Sequence, residues 1–135
     1  MKTDLTMNIR KRIALIAHDG KKQELLEWVA KHKDILEKHE LCGTGTTGGL
    51  VAEKCGLEVK RYKSGPLGGD QQIGALISNE ELDIMIFFWD PMTAQPHDVD
   101  VKALLRMSVL YNVAVACNKA SADFLVTSPL MTQDY

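Results

Sequence analysis

Four short stretches carry side chains able to move protons or hold an anion. The first, SGPLGGDQQIGALI (64–77), sets the carboxylate of Asp70 behind two glycines and ahead of an apolar helical pattern. Such an Asp has a plain structural use, because its oxygen accepts from free backbone N–H groups in a helix's first turn. A helix with Ile73, Leu76 and Ile77 on one face needs a cap. Gly68 and Gly69 point further, since paired glycines let the backbone approach something closely and a cap alone does not require that. The second stretch, GTGTTGG (43–49), offers Gly45 and the hydroxyls of Thr44, Thr46 and Thr47 where a helical pattern begins. Backbone N–H groups and hydroxyls in that position suit a phosphate monoester. A tight turn capped by Thr46 or Thr47 is the structural alternative.

The third stretch, AHDGKKQ (17–23), brings His18 and Asp19 together with Lys21 or Lys22, either of which could add positive charge for a phosphate. A histidine satisfied by backbone groups and a solvated helix start are the alternatives there. The fourth, FWDPMTAQPHDVD (88–100), holds Asp90, His97, Asp98 and Asp100 around two prolines that stiffen the loop. One of Asp98 and Asp100 reads as the cap of the next helix. No EF-hand or HExxH spacing is present, so no metal is expected. No nucleophile with an adjacent base stands out. An anion site, two histidines and several carboxylates favour proton transfer on a small phosphorylated molecule, with Asp70 as candidate general base.

The elements that must position these groups alternate. Apolar runs at 12–18, 40–43, 58–62, 82–88 and 113–117 read as strands. Helical patterns cover 22–32, a turn at 34–39, then 47–56, 73–79, 100–112 and 121–126, with Gly56 placed as a C-terminal stop. About five β-α units without a linker predict an α/β fold: a three-layer, doubly wound, mostly parallel five-stranded sheet of flavodoxin or Rossmann type, in one domain over 1–135. Ligands in such folds bind beyond the carboxyl ends of the strands. Nearly every unusual residue above lies just past a predicted strand end. GxGxxG occurs at Gly43, Gly45 and Gly48, but after the second strand and with Lys63 where a dinucleotide site needs an acid, so a nicotinamide dehydrogenase is poorly supported.

A net charge of −2 implies no broad basic surface for nucleic acid. No apolar run is long enough to span a membrane, and IALIA (13–17) is too short for a signal peptide, so a cytoplasmic protein is expected. Cys42, Cys55 and Cys117 form no CxxC. Cys42 and Cys117 sit in strand-like runs and read as buried free thiols.

Together IALIAHD (13–19), TGTTG (44–48), SGPLGGDQQIGALI (64–77), FFWDP (87–91), PHDVDVKALLR (96–106) and ADFLV (122–126) closely resemble the methylglyoxal synthase family. The resemblance spans 13–126 with the motifs in order. It implies conversion of dihydroxyacetone phosphate to methylglyoxal and inorganic phosphate, without metal or cofactor, by a homohexamer that phosphate inhibits. By that likeness Asp70 takes a proton from the hydroxymethyl carbon, His97 moves protons on the enediol oxygens, and Asp100 supports both. His18, Lys22, Thr44, Gly45, Thr46, Thr47, Ser64 and Gly65 fall on substrate-binding positions, and Asp19 and Asp90 match carboxylates lining the same site. Family members usually continue past the last helix with a basic residue that can help hold phosphate, whereas no Lys or Arg follows Lys119 here. The same fold serves as an effector-binding domain in carbamoyl phosphate synthetase; Asp70, His97 and Asp100 together favour the enzyme.

Overall fold

The computed structural model describes residues 6–93 and 98–135, with backbone alone at Pro66 and 98–100. Its five strands are β1 (Arg12–Ala17), β2 (Glu40–Thr44), β3 (Val59–Tyr62), β4 (Ile84–Phe88) and β5 (Ala114–Ala116). All pair in parallel in the order β3-β2-β1-β4-β5. The chain steps outward from β1 to β3, then crosses back to lay β4 on the other side of β1. The direction of winding therefore reverses beside β1, where Ile13 faces Leu41 on one side and Ile84 on the other.

The helices are α1 (Lys22–Lys31), α2 (Lys33–Leu36), α3 (Gly45–Cys55), α4 (Gly69–Ser78), α5 (Asp98–Leu110) and α6 (Lys119–Val126). The strand pleat sorts the core into two layers. Ile13, Leu15, Ile84, Ile86 and Phe88 pack with Leu25 and Val29 of α1, Val51 of α3 and Ala122 of α6. The alternate residues Ala14, Ile16, Met85 and Phe87 pack with Ile73 and Ile77 of α4 and Leu104 of α5 on the opposite face. Each fully buried aliphatic contributes about 1.5–3 kcal/mol, so the apolar runs that read as strands also anchor the helices. No described helix is long and apolar enough to cross a membrane.

Element types agree with the sequence reading, while α3, α4, α5 and α6 all start earlier than the patterns at 47, 73, 100 and 121. α3 begins at Gly45 and α4 at Gly69, both inside stretches whose glycines read as loop. Low helix propensity is overridden at α3 by close packing: a Cβ on Gly43 would lie 2.8 Å from Gly48 Cα. Gly56 ends α3 in the left-handed region, φ 66°. All three cysteines are free, with Cys42 and Cys55 buried and Cys117 only half-buried, because β5 is an edge strand. Burial pushes the Cys42 thiol up to about 11.

Beneath the sheet, buried His39 accepts the Lys11 N–H at Nδ1, 2.8 Å. Burial, with Lys11, Arg10 and Lys38 nearby, holds its pKa below the ordinary 6.5. The unfolded chain then takes up a proton that the folded protein resists. The stability involved is complete above 6.5 and is lost as pH falls through the depressed pKa. Urea midpoints should therefore decline between about pH 7 and 5. His39→Asn, whose oxygen reaches the Nδ1 position, should flatten that decline; an unchanged slope would show that other groups set it.

Candidate active site

A crevice of about 410 Å³ opens beyond the carboxyl ends of β1, β2 and β4. Ile16 and Phe87 contribute apolar lining, and His18, Asp19, Lys22, Thr44, Gly45, Thr46, Thr47, Ser64, Gly65 and Asp70 line it too. Residues from four chain segments thus meet at the point where the winding reverses. A larger cavity of about 620 Å³ lies at the other end of the strands, and no carboxylate or imidazole side chain lines it. Of the two, the crevice is the one lined by carboxylate and imidazole side chains.

The start of α3, which lines the crevice, has features that suit an anion. Thr44 is the N-cap of α3, extended at φ −95°, and makes no side-chain cap bond. Thr46 does not cap either: its Oγ1 accepts from Lys22 Nζ at 2.6 Å. The first-turn N–H groups of this 11-residue helix have no capping side chain and no first-turn acid, so the helix dipole is left to attract a negative group. Lys22 Nζ also lies 2.6 Å from Asp19 Oδ1. The hydrogen bond and charge of Lys22 hold the Asp19 carboxyl below its usual range. Asp19 is exposed, so the pair adds little stability; it keeps the ammonium beside Thr46. Of the two candidate lysines, Lys21 turns instead to Glu24, 3.5 Å away.

Asp70 also lines the crevice; it stands in the first turn of α4 and is only 4% exposed. Asp70 is not the cap. Gly68 occupies that position at φ 108°, and no side chain caps the helix. The two glycines have different causes. Gly68 supplies a backbone conformation that L side chains rarely adopt. Gly69 supplies space, because a Cβ there would fall well inside contact distance of the Lys63 carbonyl oxygen. Gly69 N–H donates to Ser64 O at 2.8 Å, and Gln72 Oε1 accepts from Lys63 N–H at 2.8 Å. These contacts press the start of α4 onto the end of β3 and carry Asp70 to the crevice.

His18 is 5% exposed and packs edge-on against Phe87, centroids 5.3 Å apart. Its Nδ1 accepts the Asp90 N–H at 3.1 Å. A backbone N–H can donate only to an unprotonated ring nitrogen, so the proton of the neutral ring sits on Nε2 and makes His18 a donor. Asp90 is half-buried just past the end of β4. Its Oδ1 accepts from Met92 N–H at 3.1 Å, and its Oδ2 lies 2.6 Å from where a Cβ on Gly20 would be. His97 and the side chain of Asp100 lie outside the described residues. Among the described residues no three His, Cys, Asp or Glu side chains converge as metal ligands. The sequence reading missed Ile16, Phe87 and Gln72. Strand alternation marks the first two, and nothing local marks the third.

Comparison with known proteins is consistent across sequence and structure. Residues 24–117 match the model of the MGS-like domain family. A methylglyoxal synthase of Leptospira interrogans is 62% identical over 93% of this chain and 84% of its own length. One from Clostridium acetobutylicum is 59% identical over 96% of this chain and 89% of its own. The crystal structure of methylglyoxal synthase from Elizabethkingia anophelis superposes with a TM-score of 0.94 at 56% identity, covering 99% of this chain and 88% of that one.

Proposed function

We propose a catalytic reading of the crevice from the premise that this chain belongs to the methylglyoxal synthase family. It is a phosphate-eliminating lyase that converts dihydroxyacetone phosphate to methylglyoxal and inorganic phosphate. The observation that carries the assignment of its site is that buried Asp70 and the hydrogen-bonded Lys22–Thr46 pair line the same crevice. A base and an anion grip are brought to one space there.

In this reading the substrate phosphate sits at the start of α3, held by Lys22, the Thr46 and Thr47 hydroxyls and the free N–H groups. Asp70 removes a proton from the hydroxymethyl carbon. The C–H electrons form the enediolate double bond, and the carbonyl oxygen takes the negative charge. His18 donates from Nε2 toward that oxygen as the charge develops. The enediolate electrons then expel phosphate as the C–O bond breaks, leaving the enol of methylglyoxal. Protonation of its terminal carbon gives the product. His97, by the family likeness, carries protons between the enediol oxygens, and Asp100 supports it. Phosphate leaves only if its C–O bond stands perpendicular to the enediol plane, where it overlaps the π system. The grip at Thr44–Thr47 therefore selects elimination over isomerisation, which Asp70 alone does not. Purified protein given dihydroxyacetone phosphate should release methylglyoxal and phosphate in equal amounts. Formation of an aldose phosphate instead would defeat the reading.

The anion grip yields a paired expectation. Lys22→Met should weaken both substrate binding and phosphate inhibition about ten- to a hundredfold, the range for a lost charged hydrogen bond. Asp19→Asn removes the carboxylate that competes for the same ammonium and should strengthen phosphate inhibition. Titration of inhibition by phosphate checks both, and parallel weakening in the two variants would exclude competition at Lys22. Phosphate inhibition, a homohexamer and a cytoplasmic location complete the proposal, and three free thiols suit a reducing compartment. Light scattering that finds only monomer at micromolar concentration would refute the hexamer.

A further inference from the structure

We infer that the cavity at the far end of the sheet binds a small amphipathic monocarboxylate, with the ammonium of Lys11 as its anchor. The cavity, about 620 Å³, falls in the range of about 300–1,000 Å³ that encloses small organic ligands. Ile84 and Ala114, at the starts of β4 and β5, line it. Phe124, Leu130 and Tyr135 also line it and remain 81%, 47% and 52% exposed.

Lys11 also lines this cavity and is 2% exposed. Its Nζ donates to Asn8 O and Gln133 O, each at 2.5 Å. Both acceptors are neutral, and an ammonium has three protons. Among the described residues no carboxylate lies within salt-bridge distance of it. Buried Asp83, by contrast, is matched by Arg12 at 3.0 Å. A charge taken from water without an opposite charge is costly. A ligand carboxylate supplies both the missing charge and the third acceptor, while an apolar body covers Phe124 and Leu130. One cation among apolar walls suits a monoanion rather than a phosphate dianion.

The anchor lies at the start of β1, whose other end carries His18. Binding there does not compete with the substrate. It tightens the clasp in which Met7 and Tyr135 exchange backbone hydrogen bonds, both 2.9 Å, and which Lys11 ties together.

The probe is 3-phenylpropanoate, with neutral 3-phenylpropanamide as its control, followed by calorimetry and thermal unfolding of the full chain. One saturable site per chain is expected, with a raised unfolding midpoint and no displacement by inorganic phosphate. The amide should bind at least about tenfold more weakly. Ser121→Trp, which fills the cavity mouth, should abolish binding while near-UV dichroism and turnover stay native. Lys11→Met should bind acid and amide alike; should it fail to fold, the amide control and Ser121→Trp still decide. The inference is overturned by no saturation at about 10 mM, beyond the range of a millimolar site. Equal affinity for the amide, displacement by phosphate, or undiminished binding in Ser121→Trp also overturns it. So does a native protein that binds no carboxylate but dissociates on Ser121→Trp, which would show that a second copy of the chain covers the groove.

Discussion

Asp70→Asn should give a folded, phosphate-binding protein whose turnover is lower by about 10²–10⁴-fold, the usual size of a general-base contribution. Asn matches Asp in size and removes only the basic oxygen. The helix does not depend on this side chain for its cap, since Gly68 holds that position. Stability should therefore move by no more than about 1 kcal/mol, the scale of a lost charge–dipole interaction. Exchange of the substrate's carbon-bound hydrogen with deuterated water should vanish with turnover, because proton removal precedes phosphate loss. His97→Gln should differ, slowing proton movement on the oxygens while some exchange survives. Exchange and phosphate release measured in parallel decide the matter. Near-normal exchange in Asp70→Asn would assign the proton to another group.

Gly69→Ala should damage stability and turnover together. The added methyl meets the Lys63 carbonyl, which is backbone and has no rotamer to escape into. The start of α4 must lift from the end of β3, at an overpacking penalty of about 1–3 kcal/mol. Asp70, the next residue, moves with it. A displacement near 1 Å lowers turnover by about 10²-fold. Gly68→Ala is the control. Nothing lies within 4 Å of its added Cβ, but φ 108° is strained for alanine, a penalty of about 1–3 kcal/mol. The two variants should lose similar stability, and only Gly69→Ala should lose most of its turnover at saturating substrate. Equal turnover in both would mean that the contact with Lys63 does not position the base.

Much of this protein is legible along the chain. The runs IALIA and IMIFF are apolar throughout and read as strands buried on both faces, and their alternation with helical patterns dictates a parallel sheet. Strand ends then mark His18, Thr44, Ser64 and Asp90 without any coordinates. Glycines were legible as features and not as causes. Gly68 and Gly69 mark a special backbone in the sequence, but only the fold separates a torsional need from a spatial one. The starts of α3 and α4 were hidden for the same reason: their glycines weaken helices locally, and contacts with β2 and β3 outweigh that loss. Asp90 shows the limit most clearly. Its position past β4 is written in the sequence, yet what its carboxylate meets depends on a turn at Met92 and on Gly20, 70 residues away in the chain. Residue type and spacing determine which groups can do chemistry at the strand ends. Which of them line the crevice, which lysine meets Thr46 and which His18 nitrogen accepts the Asp90 N–H are set by contacts between distant segments, because hydrogen bonds and close packing act through space.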